Sequence, residues 1–305
     1  MVGVSHDLLQ ALAIFAAGLA AGTINTVVGS GTLITFPTLL AFGYPPVLAN
    51  VSNNVGLVPG VASGVHGYRA ELAGQRRRVL RLGAASLCGG LVGAILLLVL
   101  PAGAFKAIVP VLIGIALVMV VFQPRLAKWV AARQRAKAAA PARSAEPGGS
   151  EHDDAAGAAG PDEGRRPAEA GGAGAVSVAR SVQTDTAVQV GGSVLWILVF
   201  LSGIYGGYFG AAQGVLLLGL MGVAFTDSMQ RINAVKNVLA GLVNGIAAVV
   251  FIIATHIDWG AAGLIAAGAI LGGQLGARIG RKLPPWGLRA LIICVGLAAL
   301  VKLLA

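Results

Sequence analysis

The chain contains an internal duplication that covers most of its apolar sequence. Residues 54–118 align with residues 237–301 without a gap. The pairs that coincide include Asn54-Val55 with Asn237-Val238, Gly89-Gly90 with Gly272-Gly273, and Leu100-Pro101 with Leu283-Pro284. Duplicated apolar units are typical of secondary transporters, which hold their substrate between the two halves.

Composition narrows the class of protein further. Of 305 residues, 56% are hydrophobic and only 11% are charged, whereas soluble domains carry about 25% charged residues. The apolar segments are continuous and many approach 20 residues, which predicts a polytopic α-helical protein in a lipid bilayer. They lie at 8–28, 32–42, 52–67, 79–99, 106–122, 194–209, 214–225, 233–254, 259–277 and 286–304.

The stretch 124–192 differs from the rest of the chain. It is rich in Ala, Gly, Pro, Arg and Glu, and it holds eight of the twelve acidic residues. Such a composition cannot bury enough apolar surface to fold, so we predict a disordered linker. The domains expected are an N-terminal transmembrane repeat at 1–123, this linker at 124–192, and a C-terminal transmembrane repeat at 193–305.

The net charge of +10 does not indicate nucleic-acid binding, because most of the cations outside the linker cluster at the ends of apolar segments. The loop 68–81 carries five arginines and is predicted to be cytoplasmic. Its repeat mate, 255–258, has no Lys or Arg. The reverse holds for the next pair of loops: 278–289 is basic and 100–106 has one lysine. Equivalent loops are therefore expected on opposite sides, and the repeats are predicted to be inverted.

Inversion requires an odd number of membrane crossings in each half. The short segments 32–42 and 214–225 must then return the chain to the face it left, as arms of a hairpin or of a broken pair. The predicted fold is all-α, with two inverted structural repeats, each made of a glycine-broken, re-entrant first element and three long transmembrane helices. Both termini are expected outside, and the linker in the cytoplasm. The alternative is that the first element of each half, 8–42 and 194–225, is a single broken crossing. In that case the basic loop 278–289 would lie outside.

Two glycine-rich breaks occupy corresponding places in the two halves. Glycine permits tight turns and close backbone approach, and short segments interrupted by glycine are typical of a transporter's binding site. Each break precedes a short helix, whose free N–H groups would favour an anion. The candidate binding residues are Gly29, Ser30, Gly31 and Thr32 in the first break and Gly210, Gln213 and Gly214 in the second. The alternative is that these glycines serve only close helix packing.

A second group of candidates opens the helix that follows each break. It comprises Asn53, Asn54, Lys236 and Asn237, with Asn53 aligned to Lys236 and Asn54 to Asn237. Amides and one ammonium, without a carboxylate, suit a small oxyanion. Ionisable residues inside apolar helices are functional by default, although Lys236 could instead snorkel to the cytoplasmic face along its stem.

No enzyme signature or metal-ligand spacing stands out, so we expect neither catalytic residues nor a cofactor. Cys88 and Cys294 are expected to be small buried hydrophobic residues. His66 and His256 lie near segment ends and could carry protons. Coupling of transport to a proton is therefore kept as an alternative. The partners expected are a small anion and the lipid bilayer. A homodimer remains open because the third long segment of each half is rich in glycine.

The segment from Gly22 to Asn54 resembles the N-terminal signature of the sulfite exporter TauE/SafE family. It reads GTINTVVGSGTLITFPTLLAFGYPPVLANVSNN, with a glycine-rich break, a short apolar segment containing Pro37, and the turn Gly43-Tyr44-Pro45-Pro46. The second half repeats the pattern more loosely from Gly203 to Asn237. The resemblance implies an inner-membrane permease that exports sulfite, sulfonates or related sulfur-containing anions without ATP. The chain departs from the pattern in its long 124–192 segment and at Ala211, Ala212 and Gln213.

Three alternatives stay open at this point. A membrane-embedded enzyme acting on lipid phosphates can also use inverted repeats, but it would need a buried acid, a histidine or an arginine pair. A scaffold protein would not need two polar, glycine-broken elements facing each other. A passive anion channel is compatible with the same residues.

Overall fold

The computed structural model describes residues 2–143, 192–225, 227–279 and 285–304. Within these ranges the chain forms ten α-helices and no strand. The helices are α1 (Val2–Val27), α2 (Thr32–Ala41), α3 (Pro46–Gly67), α4 (Arg76–Val99), α5 (Ala102–Arg143), α6 (Gly192–Tyr208), α7 (Gln213–Ala224), α8 (Met229–Ala254), α9 (Trp259–Ile279) and α10 (Pro285–Leu304). The prediction of an all-helical chain is confirmed.

The duplication seen in the sequence is also present in the order of the helices. In each half a helix is broken, a short helix follows, and three longer helices complete the unit. The short helices α2 and α7 have 10 and 12 residues, which gives them lengths of about 15 and 18 Å. Each is therefore shorter than the ~30 Å hydrocarbon core of a bilayer.

Helices of one half pack mainly on helices of the other. The broken helix α1 lies against α9, and its counterpart α6 lies against α4. Likewise α2 contacts α10 while α7 contacts α5, and α3 meets α8 between them. Every contact named here is thus matched by the contact between the equivalent helices.

Glycines make this close packing possible. A methyl group added at Gly89 or Gly93 on α4 would collide with carbonyl oxygens of α6, and one added at Gly272 or Gly276 on α9 would collide with carbonyl oxygens of α1. Small residues let helix backbones approach closely in membrane proteins. Because these glycines are used inside the chain, they no longer support a homodimer, which stays a prediction without that argument.

The outer surface of the helix bundle is apolar. Five of the described helices contain a segment long and apolar enough to cross a bilayer: Asp7–Val27, Arg76–Val99, Gly103–Arg125, Met229–Ala254 and Trp259–Arg278. Large side chains such as Ile253 and Val99 are exposed on their outward faces. This is the surface of a multi-pass membrane protein, in which lipid covers what would otherwise meet water. Cys88 and Cys294 are exposed as well, so the expectation that they are buried is wrong.

Helix α5 continues beyond the predicted start of the linker. It runs to Arg143, whereas the linker was placed at 124–192. The sequence from Leu126 to Arg143 is rich in Ala, Arg and Lys, which are strong helix formers. Residues 144–191 lie outside the described ranges.

Candidate functional site

The break after α1 is a glycine-dependent helix end. The carbonyl oxygen of Ile24 accepts the N–H groups of both Val28, at 2.7 Å, and Gly29, at 3.0 Å. Gly29 has a φ angle of +88°, which side chains with a Cβ rarely adopt. The chain can therefore leave the helix here, at the glycine-rich break that the sequence predicted.

The break after α6 repeats this geometry. Tyr205 occupies the place of Ile24, and its carbonyl oxygen accepts the N–H groups of Phe209, at 3.0 Å, and Gly210, at 3.1 Å. Gly210 has a φ angle of +77°. The two helix ends are thus the same structure built twice from different flanking residues.

The two breaks touch each other. The N–H of Gly214, in the first turn of α7, donates to the carbonyl oxygen of Gly29 over 3.1 Å. A methyl group added to either glycine would overlap the backbone of the other. The residues predicted to face each other across the two halves are therefore in direct contact.

The first N–H groups of the short helix α7 are occupied within the chain. Besides Gly214, the N–H of Gln213 donates to Gly210 over 3.3 Å and that of Val215 to Ala212 over 3.0 Å. The expected free backbone donors are consequently not free at α7. Polar side chains beside the breaks are left as the groups that could receive a ligand.

Several of those side chains are buried without a partner among the described residues. In that part of the chain, the hydroxyl of Ser30 and the amide nitrogen of Gln213 have no hydrogen-bond partner, and these residues are 1% and 3% exposed. The side-chain oxygens of Asn54 and Asn233 are also unpartnered. Buried polar groups left unpaired are costly, so these atoms are available to hydrogen-bond water or a ligand.

Lys236 is the cation of this region and is fully buried. Its ammonium donates to the carbonyl oxygens of Asn25, at 3.0 Å, and Thr26, at 3.4 Å. Those carbonyls end α1, where the helix dipole favours a positive charge. The alternative that Lys236 snorkels to the surface is wrong, because none of its side chain is exposed.

The amides of Asn233 and Asn237 assist Lys236 at the end of α1. Each donates to the carbonyl oxygen of Thr26, at 3.1 and 3.3 Å. An ammonium has three donors, and two contacts to carbonyls leave one donor of Lys236 available. No ion pair within 4.0 Å joins Lys236 to a carboxylate in the part of the chain that the structure describes.

The equivalent site in the first half carries no charge. Asn50 on α3 donates its amide to the carbonyl oxygen of Tyr208 over 3.0 Å. It therefore binds the C-terminal end of α6 in the same way as Asn233 binds the C-terminal end of α1. Asn53, the repeat mate of Lys236, accepts a hydrogen bond from the hydroxyl of Thr35 instead. The sequence prediction left Asn50 and Asn233 out of the site, although their coincidence under the duplication was a signal that could have found them.

The predicted residues therefore form two connected groups. Gly29 and Gly214 join the two breaks, and Lys236 and Asn237 join α8 to the end of α1 just before the first break. Asn53 instead bonds within its own half, to Thr35 of α2. That any of these residues binds a substrate stays a prediction.

Comparison with known proteins identifies the family. The model of the sulfite exporter TauE/SafE family matches residues 14–303. The chain belongs to this family. It is also similar to a probable membrane transporter protein, ORF9, of Sinorhizobium sp, with 32% identity over 105 residues. That match covers 34% of this chain and 40% of the relative, so the chain spans well under half of the relative's length. No solved structure matches.

At one end of this TauE/SafE protein an ion pair joins the two halves. Asp227, before α8, accepts from Arg78 of α4 at 2.9 Å and from Arg231 at 2.9 Å. Arg78 also bonds to Gln75 at 2.5 Å. Burial raises the pKa of the Asp227 carboxyl, but the hydrogen bonds from Arg78, the Ser228 backbone and Arg231 outweigh it, so the pKa is lowered from its ordinary value.

At the opposite end the two halves meet at the repeat-related positions. The duplication aligns the start of α3 with the start of α8. The same alignment pairs Tyr44 with Asp227 and Gln75 with Asp258. Tyr44 and Asp258 line the same cavity of about 200 Å³. Burial, and then the charge of Asp258, raise the pKa of the Tyr44 phenol. The backbone N–H of Asp258 donates to the hydroxyl of Ser52 over 3.0 Å, which again joins the two halves.

Proposed function

We propose that this chain is a secondary transporter, without ATP, that exports small sulfur-containing anions such as sulfite or the sulfonate sulfoacetate. The observation that carries the proposal is the contact of the two broken helices, one from each half, at Gly29 and Gly214. Broken helices that meet between structural repeats are the setting in which secondary transporters bind substrate. The family description supplies the class of anion.

The polar groups at the breaks favour an anion over a cation. Lys236 brings a buried positive charge, and Ser30 and Gln213 bring donors that the protein leaves unpartnered. A sulfite or sulfonate oxygen could take the remaining donor of Lys236 and one of these side-chain donors. A cation bound here would lie beside an unneutralised ammonium, which Coulomb repulsion disfavours.

The transport mechanism we propose is alternating access between two inverted repeats. Each helix contact between the halves has a counterpart between the equivalent helices, and this supports the mechanism. Rocking one half against the other can then convert an arrangement open to one side into the equivalent arrangement open to the other side. The arginines of the loop 68–81 favour a cytoplasmic position for that end, with both termini outside, in the inner membrane. A proton remains the coupling ion to be tested.

Purified protein in proteoliposomes can test the function. We expect saturable flux of labelled sulfite and sulfoacetate, competed by the unlabelled anion, with sulfate as the comparison and with or without a proton gradient. Flux that does not saturate would indicate a passive channel. No flux of any of these anions through folded protein would contradict the proposed substrates.

Single substitutions can test the site. We expect Lys236→Ala and Asn54→Ala to abolish flux while the protein is still inserted and folded. Lys106→Ala, which removes an exposed cation on α5, is the matched control and should transport normally. Flux at the wild-type rate in both site variants would contradict the proposed binding residues.

A further inference from the structure

A groove of about 680 Å³ opens on the outside of the bundle between α5, α6 and α7. Its walls are apolar along most of their length, with Met119 and Phe122 from α5, Leu198 from α6, and Leu216 and Leu220 from α7. Neither Lys236 nor any residue of α1 lines it. The transport mechanism proposed above does not use it.

The groove has one polar end. Arg125 and Trp129 line it there, and Arg125 is the last residue of the apolar segment that begins at Gly103. Arg125 lies over the Phe122 ring, with its guanidinium carbon 5.3 Å from the ring centroid. Trp129 is 49% exposed one turn further along α5. A tryptophan beside an arginine at the end of a span is typical of the depth at which lipid headgroups lie.

This polar end lies on the arginine-rich face of the molecule. Ala224, at the end of α7, lines the groove, and the next residue, Phe225, has its ring 4.0 Å from the guanidinium carbon of Arg78. At the start of α6, Gly192 lies beside the guanidinium of Arg81. The arginine-rich face is the one that the positive-inside rule assigns to the cytoplasm, where the bilayer carries its anionic lipids.

We propose that this groove is a binding site for one anionic phospholipid. Its phosphate would pair with Arg125, its glycerol region would lie against Trp129, and one acyl chain would fill the apolar part of the groove. A second copy of this chain or another protein could cover an apolar groove, but it would need its own anion opposite Arg125. A phospholipid brings the anion and the apolar chain together at the depth where the groove has its charged end.

The deep end of the groove connects the lipid to the broken helices. Val215 lines it and follows Gly214, whose N–H is bonded to Gly29. An acyl chain in the groove would therefore pack against the helix that makes the contact between the halves. Binding itself does not depend on the substrate or on the transport mechanism.

Lipid binding can be measured by quenching of tryptophan fluorescence in vesicles. The probes are brominated phosphatidylglycerol, which is anionic, and brominated phosphatidylcholine, which is zwitterionic, each at the same fraction of the bilayer. Trp129→Phe identifies the part of the quenching that reports on the groove. In that part we expect a preference for phosphatidylglycerol of about fivefold, as for one cation beside an anionic headgroup.

Two pairs of variants decide the outcome. Arg125→Gln should remove the preference for phosphatidylglycerol, while Lys106→Gln, near the other end of the same apolar segment, should keep it. Leu198→Trp should fill the groove and reduce quenching at Trp129 by either lipid, while Leu201→Trp, exposed on α6 outside the groove lining, should not. Three results would each overturn the proposal. They are an unchanged preference in Arg125→Gln, equal binding of both lipids by the wild type, and exclusion of lipid from the groove by a second copy of the chain. Normal anion flux together with any of these results would leave the transport function intact.

Discussion

Gly214 donates its backbone N–H to the carbonyl oxygen of Gly29 over 3.1 Å, and these glycines belong to opposite halves of the duplicated chain. Each lies where a helix is broken. The contact brings backbone against backbone, since a methyl group on either residue would overlap the other. A movement of one half against the other at this point would change the contact.

Substitution of Gly214 should test the importance of that contact. Alanine is the better helix former, so Gly214→Ala would stabilise an isolated helix. In the protein we expect it to destabilise by about 1–3 kcal/mol, because the new methyl group must displace the backbone of Gly29. Thermal unfolding in detergent and flux in proteoliposomes measure the two consequences.

Gly245→Ala on α8 is the matched control for this substitution. No neighbouring atom lies within 4 Å of a methyl group built there, so the melting temperature should stay the same or rise. If Gly214→Ala were as stable and as active as Gly245→Ala, the two breaks would not be in close contact.

Asn50 should stabilise the packing of the first half against the second. Its amide is the donor to the carbonyl oxygen of Tyr208 at the end of α6. Asn50→Leu would leave that buried carbonyl without this partner, which costs about 1–3 kcal/mol. Thr38→Val removes a hydrogen bond that stays within α2, and it should lower the melting temperature much less. Equal effects of the two substitutions would contradict the role given to Asn50.

The helices and their breaks were predictable because they depend on local properties of the sequence. Apolar length set the spans, and glycine marked the ends of α1 and α6, where a positive φ is needed. The gapless duplication also fixed the equivalence of α3 with α8 and of α4 with α9. The extension of α5 to Arg143 was missed, since a stretch rich in Ala, Arg and Lys with few large apolar residues has the composition expected of a linker.

The candidate site was predictable in its residues but not in its bonds. A buried lysine in an apolar helix indicates a role, yet nothing local shows that its partners are the carbonyl oxygens of Asn25 and Thr26. Those contacts depend on how α8 packs on the end of α1, which is tertiary information. The same is true of Gly214, whose N–H was expected to be free and is instead taken by Gly29.

The ion pairs at Asp227 should make stability depend on pH in the acidic range. Because its pKa is lowered in the folded protein from the ordinary 3.8, the unfolded chain binds a proton more readily than the folded one. Its contribution is therefore fully present above pH 3.8 and is lost as the pH falls below that value. We expect the melting temperatures of wild type and Asp227→Asn to differ at pH 6 and to converge on acidification.

A double-mutant comparison separates this pair from a general effect of acid. Asp227→Asn should cost about 2 kcal/mol at pH 6, as for hydrogen bonds to charged groups. Once Arg78 has been replaced by methionine, the same substitution should cost less, because the two residues share one interaction. Additive costs would mean that Arg78 and Asp227 do not stabilise each other.

The contacts between the halves at the two ends should control access to the breaks from opposite sides. Asp227→Asn weakens the arginine-rich end, and Asp258→Asn weakens the end where Tyr44 lies. In a two-state transporter, a loss of about 1.4 kcal/mol at one end shifts the population about tenfold toward the state open there. The reporter is Ser30→Cys in a background with both natural cysteines replaced, because Ser30 is buried beside the first break.

Membrane-impermeant thiol reagents added to one side of oriented vesicles read out this shift. Asp227→Asn should speed the labelling of Ser30→Cys several-fold from the arginine-rich side and slow it from the other side, and Asp258→Asn should do the reverse. Faster labelling from both sides in either variant would indicate a loosened bundle, and unchanged labelling would mean that neither contact closes the path. The opposite signs are the decisive feature, because only a path that is open to one side at a time makes a gain on one face a loss on the other.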